Sequence, residues 1–105
     1  MYKPLPDSLT IKPSKVNGLG VFAKEVIPQA THLGMTHLQF GKTLIRTPLG
    51  GFINHSDNPN CEKAKLKFRN EDKQPAYTFN KWNLITIKDI TTDEEITLKY
   101  TFYKV

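Results

Sequence analysis

Asn54-His55-Ser56-Asp57-Asn58-Pro59-Asn60 is the stretch on which the reading of this chain turns. It follows an apolar pair, Phe52-Ile53, and Ser56 to Asn60 is a turn by composition. An Asn-His pair at that junction puts two hydrogen-bonding side chains beside a core. Asn offers two donors and an acceptor, so it can hold a zwitterionic amino acid. The plainer alternative is a turn whose polar side chains satisfy the local backbone. Asn54-His55-Ser56 also fits the N-glycosylation acceptor pattern, a reading that requires secretion.

Outward from that stretch the chain reads as short strands joined by turns. Upstream, Gly50-Gly51 loosens the backbone. The 28–51 segment, with two prolines and four glycines, shows no amphipathic helix. Gly18-Leu19-Gly20 precedes the apolar Val21-Phe22-Ala23, and Asn17-Gly18 is a strong turn pair. The two glycines remove side chains where a backbone turns sharply or approaches a ligand closely. Leu9 to Lys12 alternates like a strand, and residues 1–8 form an irregular arm. Downstream, Glu62–Arg69 and Tyr77–Lys88 read as two strands around a polar turn, Asn70 to Pro75. Ile96 to Tyr100 is a final strand. Ala23-Lys24-Glu25-Val26 and Ile87-Lys88-Asp89-Ile90 echo each other, compatible with two similar folded-back units.

The 105 residues make one domain, 1–105. With 38% hydrophobic and 24% charged residues the chain is expected to fold. No apolar run approaches the ~20 residues of a membrane span. The lone Cys61 excludes an intramolecular disulfide and, with no apolar leader at the N-terminus, predicts an intracellular protein. The net charge of +5 is partly local. Lys63, Lys65, Lys67 and Arg69 alternate with Ala64, Leu66 and Phe68, which reads as a half-buried strand with a solvated cationic face. His32, His37, His55 and Cys61 lack zinc spacing, so no metal site is expected.

Three segments together carry a family resemblance: Gly18 to Ala23, Asn54 to Asn60, and Asp93-Glu94-Glu95-Ile96-Thr97-Leu98-Lys99-Tyr100. In that order the sequence resembles the SET domain, its smallest virus-like members above all. The resemblance covers about residues 9–103. It implies a mostly β fold of short curved sheets (a β-clip) with a threaded, pseudoknot-like C-terminal segment. It also implies a protein-lysine N-methyltransferase whose cofactor is S-adenosylmethionine. The backbone of Gly18, Leu19 and Gly20 would lie against the cofactor, which Asn54 and His55 would also bind. Tyr100 would be the catalytic tyrosine, with Leu98 and Tyr103 lining the substrate channel. Leu98 stands where the family places a Phe or Tyr that controls product state, so products beyond monomethyl-lysine are expected.

The sequence departs from the family at four places. Asp93 replaces the usual Gly, and Lys99 replaces the usual acid before the tyrosine. The span from Thr31 to Phe52 is too short for the helical insert that walls the substrate groove in larger relatives. No cysteine cluster follows the third motif. Homodimerisation or the substrate protein could complete such a groove. A protein lysine is the expected partner; nucleic acid and membrane are not. Two other readings stay open: a catalytically inactive SET fold acting as a binding module, and a small basic nucleic-acid-binding β-domain built on the Lys63–Arg69 strand with Tyr77, Phe79 and Trp82.

Overall fold

The computed structural model describes residues 5–70, 72 and 77–99, with backbone only at Asn70 and Tyr77. Eight strands and one short helix make two four-stranded sheets. The first contains β1 (Leu9–Pro13), β2 (Leu19–Ala23), β8 (Glu95–Leu98) and β5 (Asn54–His55), in that order. The second has β4 (Thr43–Arg46), β3 (His32–Phe40), β7 (Tyr77–Thr86) and β6 (Cys61–Asn70) in that order. Neighbours are antiparallel except β5 and β8, which run parallel. The last described strand therefore lies between one near the N-terminus and one from mid-chain. That placement brings the three sequence motifs to a single sheet.

The core is apolar and small: Val21, Ala23, Leu84, Ile90 and Ile96 are fully buried, with Leu33, Leu49, Ile53 and Leu98 packed around them. The β1, β2, β6 and β7 strands fall close to where alternation predicts them. The internal echo is real but shifted by one residue. Ile27 and Ile90 exchange both backbone hydrogen bonds, each at 2.8 Å. Ala30 N donates to Thr86 O and Asp93 N donates to Ala23 O, both at 2.8 Å. Ala23 thus corresponds to Thr86, not to Ile87. Each unit then carries a left-handed residue at the matching place, Ala30 at φ 66° and Asp93 at φ 69°. Asp tolerates that conformation better than most residues, which explains why it can stand where the family has Gly.

The 28–51 segment forms β3, β4 and a one-turn helix, α1 (Pro48–Phe52). Two features hide the strands from the sequence. The pairing of β3 with β7 shifts register at Gly34 and again before His37. Polar Thr36 and His37 are buried, whereas Leu44 and Ile45 are exposed. Thr47 caps α1 by accepting from Gly50 N at 3.2 Å, with Pro48 in the first turn. Gly50 does not loosen the chain. It lets α1 settle on β3, since a Cβ there would lie under 3.0 Å from the Thr36 carbonyl oxygen. Gly50→Ala is expected to destabilise by about 1–3 kcal/mol through this overpacking, despite the better helix propensity of Ala. Urea melts would check it; unchanged or raised stability would show that the close approach is not needed.

The cationic strand also differs from expectation. Leu66 (43% exposed) and Phe68 (39%) leave the apolar face of β6 uncovered beyond Ala64. Phe68 stacks on Phe79 at 4.9 Å between ring centroids, and Phe79 lies 5.2 Å from Phe40. Trp82 points to the opposite face, where it is buried. Phe79 and Trp82, two of the aromatics of the nucleic-acid reading, therefore lie on opposite faces; the side chain of the third, Tyr77, is outside the described residues.

Candidate functional site

At one end of the first sheet, the β1–β2 turn, β5 and the start of β8 meet. Asn54, 6% exposed, is the hub. Its Nδ2 shares its two hydrogens among three acceptors, Glu95 Oε2 at 2.8 Å and Asn17 O and Leu19 O, both at 3.2 Å. All three partners are acceptors only, so the amide has one sensible orientation. Its Oδ1 makes no hydrogen bond among the described residues and remains an open acceptor. The first, second and third motifs are thus tied through one side chain.

Glu95 is the residue that sequence reasoning missed. Ser14 Oγ donates to its Oε1 at 2.7 Å and to its Oε2 at 2.9 Å. Its carboxylate occupies the space that a side chain at position 20 would need. The absence of a side chain at Gly20 therefore makes room for the protein's own carboxylate. Gly18 has φ 45°, and nothing lies within 4 Å of where a Cβ would stand. Leu19, between them, is about half exposed. His55 pairs with Leu98 across the sheet, and its Nε2 lies 3.1 Å from Asp57 Oδ1.

Asn60, the last residue of the opening stretch, is a latch rather than a turn residue. It is buried; its Nδ2 donates to Glu94 Oε2 at 2.9 Å and to Glu95 O at 2.8 Å. Its Oδ1 accepts from Thr97 N at 2.9 Å. Burial pushes the Glu94 carboxyl up. Hydrogen bonds from Asn60 and Thr91, together with the Lys88 charge, outweigh it and hold Glu94 below its ordinary value.

Leu98, 5% exposed, lines a cavity of about 280 Å³ with Cys61, Lys63, Trp82, Ile87 and Lys99. The Cys61 thiol is pushed up to about 12, first by burial and then by the nearby Glu94, so it is not a nucleophile. Burial also lowers Lys63 below its usual value. Tyr100 and Tyr103, the other two residues assigned by resemblance, lie outside the described residues. No group of three potential metal ligands occurs among the described residues.

Asn54 Oδ1, the Glu95 carboxylate and the Gly18 turn thus lie close together at one end of the sheet. The chain belongs to the SET-domain family: the profile of that domain matches residues 35–101. A crystal structure of a candidate histone methyltransferase from Plasmodium falciparum shares the fold, with a TM-score of 0.70. It covers 93% of this chain and 96% of that one at 21% identity, a level that carries the architecture and nothing finer. No curated protein matches the sequence. Among the described residues, no helix is long and apolar enough to cross a membrane.

Proposed function

We propose that the protein is an S-adenosylmethionine-dependent protein-lysine N-methyltransferase. The observation that carries this is the meeting of the three motifs at Asn54, with its Oδ1 left open beside the glycine turn. Gly18, Leu19, Asn54 and His55 would hold the cofactor. When bound, it supplies a methyl group already activated by its sulfonium charge.

The chain's own residues have three tasks. The glycine turn and Asn54 fix one end of the cofactor, and the bonds to Asn17, Leu19 and Glu95 mean that this orientation needs no rearrangement. The cavity beside Leu98 would take the acceptor amine: Lys63 and Lys99 in its lining oppose an ammonium there, while Glu62 in the same lining would receive the amine as it arrives charged. Tyr100, by resemblance, would orient the transferred methyl and the acceptor nitrogen. Incubation with radiolabelled cofactor and a protein lysate, with core histones in a parallel reaction, tests the proposal. Labelled lysine in a protein hydrolysate is expected. Cofactor binding with no transfer to any protein would leave a binding module instead.

The role of Tyr100 has its own test. Tyr100→Phe removes one oxygen and keeps the ring. Stability should change by no more than one hydrogen bond, about 0.5–1.5 kcal/mol. Turnover should fall on the order of a hundredfold, as small misalignments of reacting atoms do. Melting, binding of S-adenosylhomocysteine and turnover are measured on the same variant. Turnover within about threefold of the parent, roughly 0.7 kcal/mol in barrier, would remove Tyr100 from the catalytic machinery.

A further inference from the structure

We propose that Glu95 supplies the counter-charge for the ammonium group of the bound cofactor, an inference that rests on the cofactor reading above. Its surroundings make the argument. The carboxylate is only partly exposed, and its hydrogen-bond donors, Ser14 Oγ and Asn54 Nδ2, are neutral. Among the described residues it makes no ion pair. Its neighbours are treated differently: Asp93 holds Lys12 Nζ at 2.8 Å, and Glu94 lies under the influence of Lys88. A half-buried carboxylate whose partners are all neutral keeps its full negative charge, and beside an open acceptor it attracts a cation.

Position 20 supports this. A Cβ there would collide with Glu95 Oε2 and crowd Asn54 Nδ2, so the glycine makes room for the carboxylate at this spot. Asn54 Oδ1 then offers a hydrogen bond and Glu95 a charge to the same incoming group. An ammonium takes both; a carboxylate or phosphate would be repelled by both. The site is thereby selective for the amino end of an amino-acid nucleoside.

The test separates charge from scaffold. Glu95→Gln keeps the length of the side chain. Its amide oxygen can accept from Asn54 and its amide nitrogen can donate to Ser14, so the charge alone is lost. Calorimetric affinities are measured for S-adenosylhomocysteine and for 5′-methylthioadenosine, which lacks the amino-acid end. We expect Glu95→Gln to weaken S-adenosylhomocysteine tenfold or more, with the methylthioadenosine affinity within twofold of the parent. If both ligands weaken equally, or neither does, Glu95 is a scaffold residue and the proposal is wrong. If the parent binds neither ligand, the cofactor reading itself fails. Should the Gln variant not melt cooperatively, Ser14→Ala decides: freeing the carboxylate should cost S-adenosylhomocysteine severalfold and methylthioadenosine nothing, and an equal loss of both would overturn the assignment.

Discussion

Asn60→Ala is expected to destabilise the protein by about 3–4 kcal/mol, since buried partners that lose a hydrogen bond cost about 1–3 kcal/mol each. The side chain is nearly inaccessible and closes three hydrogen bonds onto β8 and its approach: to Glu94, to the Glu95 carbonyl and from the Thr97 amide. Alanine leaves an amide and a carbonyl unsatisfied and removes a donor from a carboxylate. A chain of this size has only about 5–15 kcal/mol to lose. The melting temperature should therefore fall by roughly 15–25 °C. Asn60→Asp sharpens the test. It keeps an acceptor for Thr97 but sets a second carboxylate against Glu94. It should be no better than alanine at neutral pH and should recover in part as acid protonates the pair. An alanine variant within about 1 kcal/mol of the parent would mean that the latch contributes no more than an average hydrogen bond.

That latch also shows how the sequence informs and where it stops. Ser56 to Asn60 is polar and turn-like, and the chain does turn there. Composition cannot reveal that one Asn reaches a strand 37 residues away. Glu95 is similar. It sits in the quoted third motif, but only folding reveals that its carboxylate fills the space left by Gly20. The long β6 and β7 strands were legible because their alternation is regular. The β3–β4 hairpin was not, because a positive-φ glycine, Gly34 at φ 131°, interrupts the pattern and a buried Thr-His pair inverts it. The charged stripe on β6 was legible as a strand but not in its environment. Leu66 and Phe68 look like core residues in sequence, and among the described residues no element covers them. The family, by contrast, was readable from three separated motifs, because together they build one site.

His37 should make the protein sensitive to mild acid. The imidazole lies on β3 between Arg46 on β4 and Trp82 on β7, with its ring edge-on to the indole at 6.5 Å. Thr36 Oγ1 donates to Trp82 O at 3.3 Å, so at 3.0 Å it accepts from His37 Nδ1, and the ring is neutral with its proton on that nitrogen. Burial, then the charges of Lys63 and Arg46, lower His37 from 6.5 to about 4. The sign follows from proton uptake. Between about pH 6.5 and 4 the unfolded chain binds a proton that the native protein refuses, so stability falls as pH falls. The slope reaches at most about 1.4 kcal/mol per pH unit, and the loss totals about 3 kcal/mol at pH 4 before it levels off. The depressed Glu94 carboxyl adds its own loss lower down, below its ordinary value of 4.5 and toward its folded value. Urea melts at pH 7, 6, 5 and 4 measure the curve, and His37→Gln isolates it, since an amide can still donate to Thr36 but does not titrate. The parent should lose about 3 kcal/mol across this range and the Gln variant well under half of that. Parallel curves for the two proteins would place the acid sensitivity elsewhere.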